Sequence, residues 1–283
     1  MKIGYYPGCT LKSKAKNLEE AAVRSLELIG VEMVEIERWN CCGAVYSLAD
    51  DDLIHQIAPV RDLVRMKEQG HEKVVTLCSM CYNTLARANN LMRSDDEKRD
   101  TINRFMDEEI DYSGEVEVVH FLNFLQDDIG WDTIRANVKQ PLADLKVAPY
   151  YGCTLQRPDD ISIEPVGSFD LMTRFLEALG ATVVDFPAAA TCCGSYQVMG
   201  NAVAAQEAAG TILKTAHVTG AEAIATSCPL CEFNLGKNQD ALMREQIITR
   251  EIPTYYFTQL MAIAFGLDAA VCHFELNAVA ALD

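Results

Sequence analysis

Short apolar runs alternate with longer segments of helical period along this chain. "KIGYY" at 2–6 is followed by apolar residues at Leu18, Ala22, Leu26 and Ile29, the spacing of one helical face, and Gly30 stands where a helix would end. "VEMVEI" then predicts a strand, residues 48–69 a helix closed by Gly70, and "KVVTL" a third strand. The order returns from residue 146: "KVAPYY", a helical segment closed by Gly180, "ATVVDF", a helix over 198–218 closed by Gly220, and "AIAT". Such a βαβαβ alternation implies an α/β fold in which parallel sheets are flanked by helices.

The return is a sequence repeat as well as a pattern repeat. "YYPGCTL" at 5–11 answers to "YYGCTL" at 150–155, and "SLELIGVEMVEIE" at 25–37 to "FLEALGATVVDFP" at 175–187. "EKVVTLCSMCYNTL" at 72–85 matches "EAIATSCPLCEFNL" at 222–235, again 150 positions on. The ends echo too, "VEVVHFLNFL" at 116–125 against "IPTYYFTQLM" at 252–261. The chain therefore reads as a tandem duplication, residues 1–144 and 145–283, whose halves are expected to face each other across a pseudo-twofold axis. The charged segment "RSDDEKRDTINRFMDEEIDYSG" in the first half reads as a solvated helical excursion.

Charge and composition narrow the function. The formal charge is −17, and "KSKAK" is the one basic cluster, which argues against a nucleic-acid partner. At 49% hydrophobic residues the chain can bury a core, yet it has no apolar run long enough to span a membrane. The start, "MKIGYYPGCTLKSKAK", lacks the features of a signal peptide, so a cytoplasmic location is expected.

Eleven cysteines in such a chain point to metal or redox chemistry rather than to disulfides. Ten of them recur in the repeat: Cys9, Cys41, Cys42, Cys78 and Cys81 in the first half, Cys153, Cys192, Cys193, Cys228 and Cys231 in the second. Each follows a predicted strand, so three loops per half should bring five thiols to the carboxyl edge of a sheet. Buried structural cysteines would not explain the pattern. Zinc takes four thiolates and leaves a fifth over, and a C-x-x-C redox pair needs no CC partner. Iron–sulfur chemistry fits better, because adjacent thiols diverge enough to bind two neighbouring irons. A glycine after each pair, Gly43 or Gly194, would let the backbone turn and approach such a group.

The spacings C-x31-CC-G-x34-C-x-x-C and C-x38-CC-G-x33-C-x-x-C form the CCG signature, complete in both halves. The chain resembles the B subunit of heterodisulfide reductase over its whole length. The resemblance implies one noncubane 4Fe-4S cluster per half, held by the five cysteines of that half. It further implies reduction of the coenzyme M–coenzyme B disulfide to two thiols, in one-electron steps from two facing clusters. Electrons would come from a ferredoxin-like C subunit and a flavin-containing A subunit, with a hydrogenase or formate dehydrogenase behind them. No cubane-cluster run and no dinucleotide-binding glycine motif lies in this chain itself.

For an anionic substrate the candidate contacts are Lys12, Lys14 and Arg157, just past the first cysteine of each half, with Tyr46 and Tyr196 after the CC-G motifs. Solvated charges and core tyrosines are the plain alternatives. Cys272 falls outside both copies and reads as a core thiol, and His120 and His217 read as structural or exposed. Two other functions stay open: a CCG electron relay to a quinone or another disulfide, and a zinc-bearing scaffold.

Overall fold

The computed structural model describes residues 1–44 and 52–279. Strands Lys2–Tyr5 (β1), Glu32–Glu35 (β2), Lys73–Thr76 (β3) and Glu117–His120 (β4) form one parallel sheet in the order β2-β1-β3-β4. Lys146–Pro149 (β5), Thr182–Val183 (β6), Ala223–Thr226 (β7) and Thr254–Tyr256 (β8) form its counterpart, β6-β5-β7-β8. Each half thus extends the βαβαβ core by a fourth parallel strand, drawn from the echoing ends of the repeat. Register pairs Ile3 with Met33 and Gly4 with Val74 in the first sheet, and Val147 with Val183 and Ala148 with Ile224 in the second. Every residue of β7 is buried, as in a strand covered on both faces.

The covering helices are Lys16–Leu28 (α1), Ile57–Glu68 (α2), Ser79–Ser94 (α3), Asp96–Phe105 (α4), Phe121–Phe124 (α5), Trp131–Asn137 (α6), Asp170–Ala178 (α7), Ala202–Val218 (α8), Pro229–Lys237 (α9), Gln239–Arg244 (α10) and Phe257–Ala264 (α11). The charged excursion is α4, of which only Ile102 is buried. A 3-10 turn, Leu53–Gln56, leads into α2, and Asp52 caps it by accepting from the Ile54 N–H.

In each sheet the chain runs from the first strand to one edge and then crosses back to the other side. That reversal puts a crevice at the carboxyl ends of β1 and β3, and of β5 and β7, where such sheets bind ligands. Residue 144, where a boundary is expected, lies in the segment between α6 and β5.

The halves exchange their last helices. α11 packs on α1, where Thr258 Oγ1 donates to the Leu18 carbonyl at 2.9 Å, while α5 and α6 pack on α7. Phe257 of α11 meets His120 and Phe121 of the first half and Phe175 of α7, with ring centroids 5.5–6.2 Å apart. One hydrophobic core runs through both halves.

Helix α3 adds a polar seam. Tyr82 OH donates to the Ile161 carbonyl at 2.9 Å. Asn83 Nδ2 donates to the carbonyls of Thr154 (2.8 Å) and Arg157 (2.7 Å). Asn83 is wholly buried, so Asn83→Ala should strand two carbonyls and lower stability by about 1–3 kcal/mol. A urea midpoint shifted with unchanged slope is the expected result, and an unshifted midpoint would show that the seam carries no stability.

Candidate functional site

Cys9 lies just past β1, in a turn opened by Gly8 at φ +74°. Cys41 and Cys42 end the loop after β2. Cys78 caps α3 and Cys81 lies one turn along it. The three loops meet at the reversal point of the first sheet. Cys9 Sγ lies 3.4 Å from Cys41 Sγ, and Cys42 Sγ lies 3.6 Å from Cys81 Sγ. Cys41 and Cys42 are hydrogen-bonded to each other, as are Cys81 and Cys78. The five thiols form a continuous chain with the CC pair as its fork: one sulfur reaches toward the first loop, the other toward the C-x-x-C.

The second half repeats the contacts between loops, without a hydrogen bond between its adjacent pair, Cys192 and Cys193. Cys153 and Cys192 are 3.7 Å apart, Cys193 and Cys231 are 3.4 Å apart, and Cys231 is hydrogen-bonded to Cys228. Depth is graded in both. Cys9 and Cys41 are exposed and Cys153 and Cys192 half-buried, while Cys42, Cys78, Cys81, Cys193, Cys228 and Cys231 are buried.

Protons within each chain of thiols are shared unequally. Hydrogen bonds from Cys41 and Cys81 bring Cys42 down to about 5. A bond from Cys153 brings Cys192 to about 6, and one from Cys231 brings Cys193 to about 7. Each neighbour rises in return: Cys9 through its bond to Cys41, Cys81 through Cys42, Cys153 through Cys192, Cys231 through Cys193. Five thiols so close cannot all ionise in a buried site unless cations lie among them. Among the described residues no group of three or more Cys, His, Asp or Glu is arranged to hold one metal ion. The thiols instead run in a line, offering several attachment points. An all-sulfur set of this kind suits soft metals and iron–sulfur groups.

Glycines shape the space beside the thiols. A Cβ on Gly8 would lie 2.7 Å from Cys81 Sγ, and one on Gly152 3.4 Å from Cys231 Sγ. The close approach expected of Gly43 and Gly194 falls instead to these two. Gly43 and Gly194 do make the turn, with φ +74° and +73°, but they back onto the helices behind: a Cβ on Gly194 would meet Ala208 Cβ at 3.1 Å. The Gly194 N–H also reaches Cys192 Sγ at 3.4 Å.

The two sites are adjacent. The Ser79 N–H, next to Cys78, points at the Ser227 carbonyl, next to Cys228, at 3.5 Å. The buried Tyr256 phenol is raised first by burial and then by Glu232 and by Cys228, Cys78 and Cys231, thiols from both halves.

The expected substrate contacts fare differently. Lys12 Nζ pairs with Glu19 at 2.6 Å and Glu35 at 2.5 Å, in an outer groove also lined by Tyr5, Lys16 and Arg24. Its partners come from α1 and β2, which spacing along the chain does not reveal. Lys14 and Arg157 are exposed, and the Arg157 carbonyl belongs to the seam with Asn83. Tyr196 is half exposed on a 3-10 turn after Gly194. Tyr46 lies outside the described residues. Cys272 is buried beside Gln259, and His120 is buried with Nδ1 accepting from the Leu122 N–H. Sequence reasoning passed over Asn83 and also Asn234, whose Nδ2 donates to the Cys193 carbonyl.

Known proteins are similar to this chain in sequence and in fold. The chain is 31% identical over 270 residues to the 8-methylmenaquinol:fumarate reductase membrane anchor subunit of Wolinella succinogenes, covering 95% of this chain and 93% of that one. It is 26% identical over 286 residues to the B subunit of the ferredoxin:CoB-CoM heterodisulfide reductase of Methanosarcina mazei, covering 98% and 94%. In fold it is similar to a hypothetical protein from Helicobacter pylori, with TM-score 0.73 and 12% identity over 99% of this chain and 52% of that one. Two segments, residues 3–86 and 147–236, match the CCG family, described as a cysteine-rich domain. With both thiol sets inside those segments, the chain belongs to the CCG cysteine-rich domain family in two tandem copies.

Proposed function

We propose that this chain is the iron–sulfur subunit of a multisubunit oxidoreductase that reduces a disulfide, of the coenzyme M–coenzyme B type, to two thiols. The observation that carries the reading is the adjacency of the two five-thiol sites at Ser79 and Ser227. Splitting a disulfide takes two electrons, and two one-electron centres side by side can supply them. Cys9, Cys41, Cys42, Cys78 and Cys81 would hold one noncubane 4Fe-4S cluster, and Cys153, Cys192, Cys193, Cys228 and Cys231 the other. Such clusters supply one-electron transfer at potentials that burial and hydrogen bonding tune. The chain itself excludes water from the inner thiols, fixes the CC fork against the C-x-x-C, and leaves Cys9 and Cys41 open toward a reactant. Its electron donors are partner subunits of the ferredoxin-like and flavin-containing kinds, in the cytoplasm.

A second reading, an electron relay in a quinone-linked complex, has two observations behind it. The 31% relative is named for a menaquinol-linked reductase, and Lys12 is neutralised by Glu19 and Glu35, leaving less positive charge for an anionic disulfide. In the described residues no helix is long and apolar enough to cross a membrane.

Anaerobically purified complex, given reduced viologen dye and then the coenzyme M–coenzyme B disulfide, separates the two. Dye oxidation that Cys42→Ala and Cys193→Ala each reduce to background is the expected result. Dye oxidation by a menaquinone analogue, with none by the disulfide and about eight irons per chain present, would replace disulfide reduction with the relay.

A further inference from the structure

The two thiol sites share a plan but not their surroundings. Asn40, immediately before Cys41, is held at all of its polar groups. Its carbonyl accepts from Tyr6 OH at 2.7 Å, and its Oδ1 accepts from Arg65 Nη1 at 2.8 Å. Its N–H donates to Asp62 Oδ1 at 2.8 Å, and its Nδ2 reaches Asp62 Oδ2 at 3.3 Å. Asp62, on α2, has no solvent exposure.

In the second half Tyr150 OH donates in the same way to the Thr191 carbonyl, at 2.7 Å. The carboxylate, however, has no counterpart at the same position; the buried carboxyl of the second half is Glu232, directly after Cys231. Gly43 faces Ala58 and Gly194 faces Ala208, so α2 and α8 align at an offset of 150. That offset sets Asp62 against Ile212, a buried aliphatic residue. No charged residue occurs from Phe186 to Gln206, around the second CC pair.

We propose that Asp62 takes up a proton when the first thiol site takes up an electron. The proposal rests on the reading that both sites hold iron–sulfur clusters. One electron passes from a reduced iron–sulfur group of a partner subunit into the first site. One proton from solvent forms an O–H bond on the Asp62 carboxylate, and reoxidation reverses both transfers. Charge at the buried site is then unchanged across the step.

The physical case is electrostatic. The groups facing Asp62 are the Asn40 N–H and amide from the loop, the Tyr6 phenol at the exit of β1, and Arg65 and Arg61 from its own helix. Arg65 stands 3.9 Å away and is shared with Asn40, while Arg61 is drawn off to Glu109 at 2.5 Å. Burial, opposed by the Asn40 N–H and Arg65, lifts the carboxyl to about 7. A further negative charge on the thiol side of Asn40 disfavours the carboxylate more, so the proton follows the electron. Disulfide reduction and quinol oxidation both move protons with electrons, and either gives the coupling a use.

The test is a redox titration of the complete iron-loaded protein, followed by electron paramagnetic resonance at pH 7.5 and 8.5. One of the two cluster signals should fall in potential by about 59 mV, the one-electron equivalent of a tenfold change in proton concentration. Asp62→Asn should flatten that dependence. Reduced-minus-oxidised infrared spectra of the unaltered protein should show a protonated carboxyl band appearing on reduction, which needs no variant to fold. Two pH-independent clusters, a slope that survives Asp62→Asn, or no carboxyl band would each overturn the proposal. A protein without iron would instead overturn the cluster reading, and this proposal with it.

Discussion

With one four-iron cluster per half, as proposed, Gly8→Ala should empty the first thiol site and leave the second filled, taking bound iron from about eight to about four per chain. The added Cβ would lie 2.7 Å from Cys81 Sγ, closer than a carbon and a sulfur approach. Cys81 cannot move aside, because it sits on the first turn of α3 and is held between Cys42 and Cys78. The φ of +74° adds left-handed strain of about 1–2 kcal/mol for any residue with a side chain. Gly152→Ala is the control: its Cβ would lie 3.4 Å from Cys231 Sγ, an ordinary contact, with φ +66°. It bears the strain without the clash and should keep most of its iron. Iron analysis and the electron paramagnetic resonance spectrum report both outcomes. A Gly8→Ala protein with full iron would refute the packing argument.

Phe257→Ala should cost about 3–5 kcal/mol, the usual range for deleting a fully buried aromatic ring. The ring has no solvent exposure and touches His120, Phe121 and Phe175, residues of both halves. It is the hub of the exchanged-helix junction, so the loss should appear as one cooperative transition at lower urea. Two separated transitions, only one of them shifted, would mean that the halves are independently stable and that the junction merely docks them.

The repeat, the strand order leading to each cysteine and the convergence of five thiols per half were legible in the sequence, because all three rest on local pattern. Gly30 and Gly180 mark equivalent helix ends, and the C-x-x-C pairs follow equivalent strands. Contacts between elements distant along the chain were not legible. Lys12 looked available because Glu19 and Glu35 come to it from two different elements. The adjacency of Ser79 and Ser227 depends on how the halves face each other, which no single repeat encodes. Asp62 could have been found: laid over the second half at offset 150, it is a carboxylate where an isoleucine stands. A charged residue on the buried face of a helix, absent from its duplicate, was the signal.

The exchange of terminal helices also bears on how the chain reaches its native state. α11, which packs on α1 with Ala262 against Ala21, is some 240 residues further along. A nascent first half therefore carries an uncovered sticky groove until almost the whole polypeptide has been made. The second half meets no such delay, because α5 and α6 are already made when α7 emerges. Contacts of such high order slow folding and lengthen exposure to aggregation. Overexpression without matching chaperone capacity should accordingly give inclusion bodies, and chains truncated before α11 should go into them first.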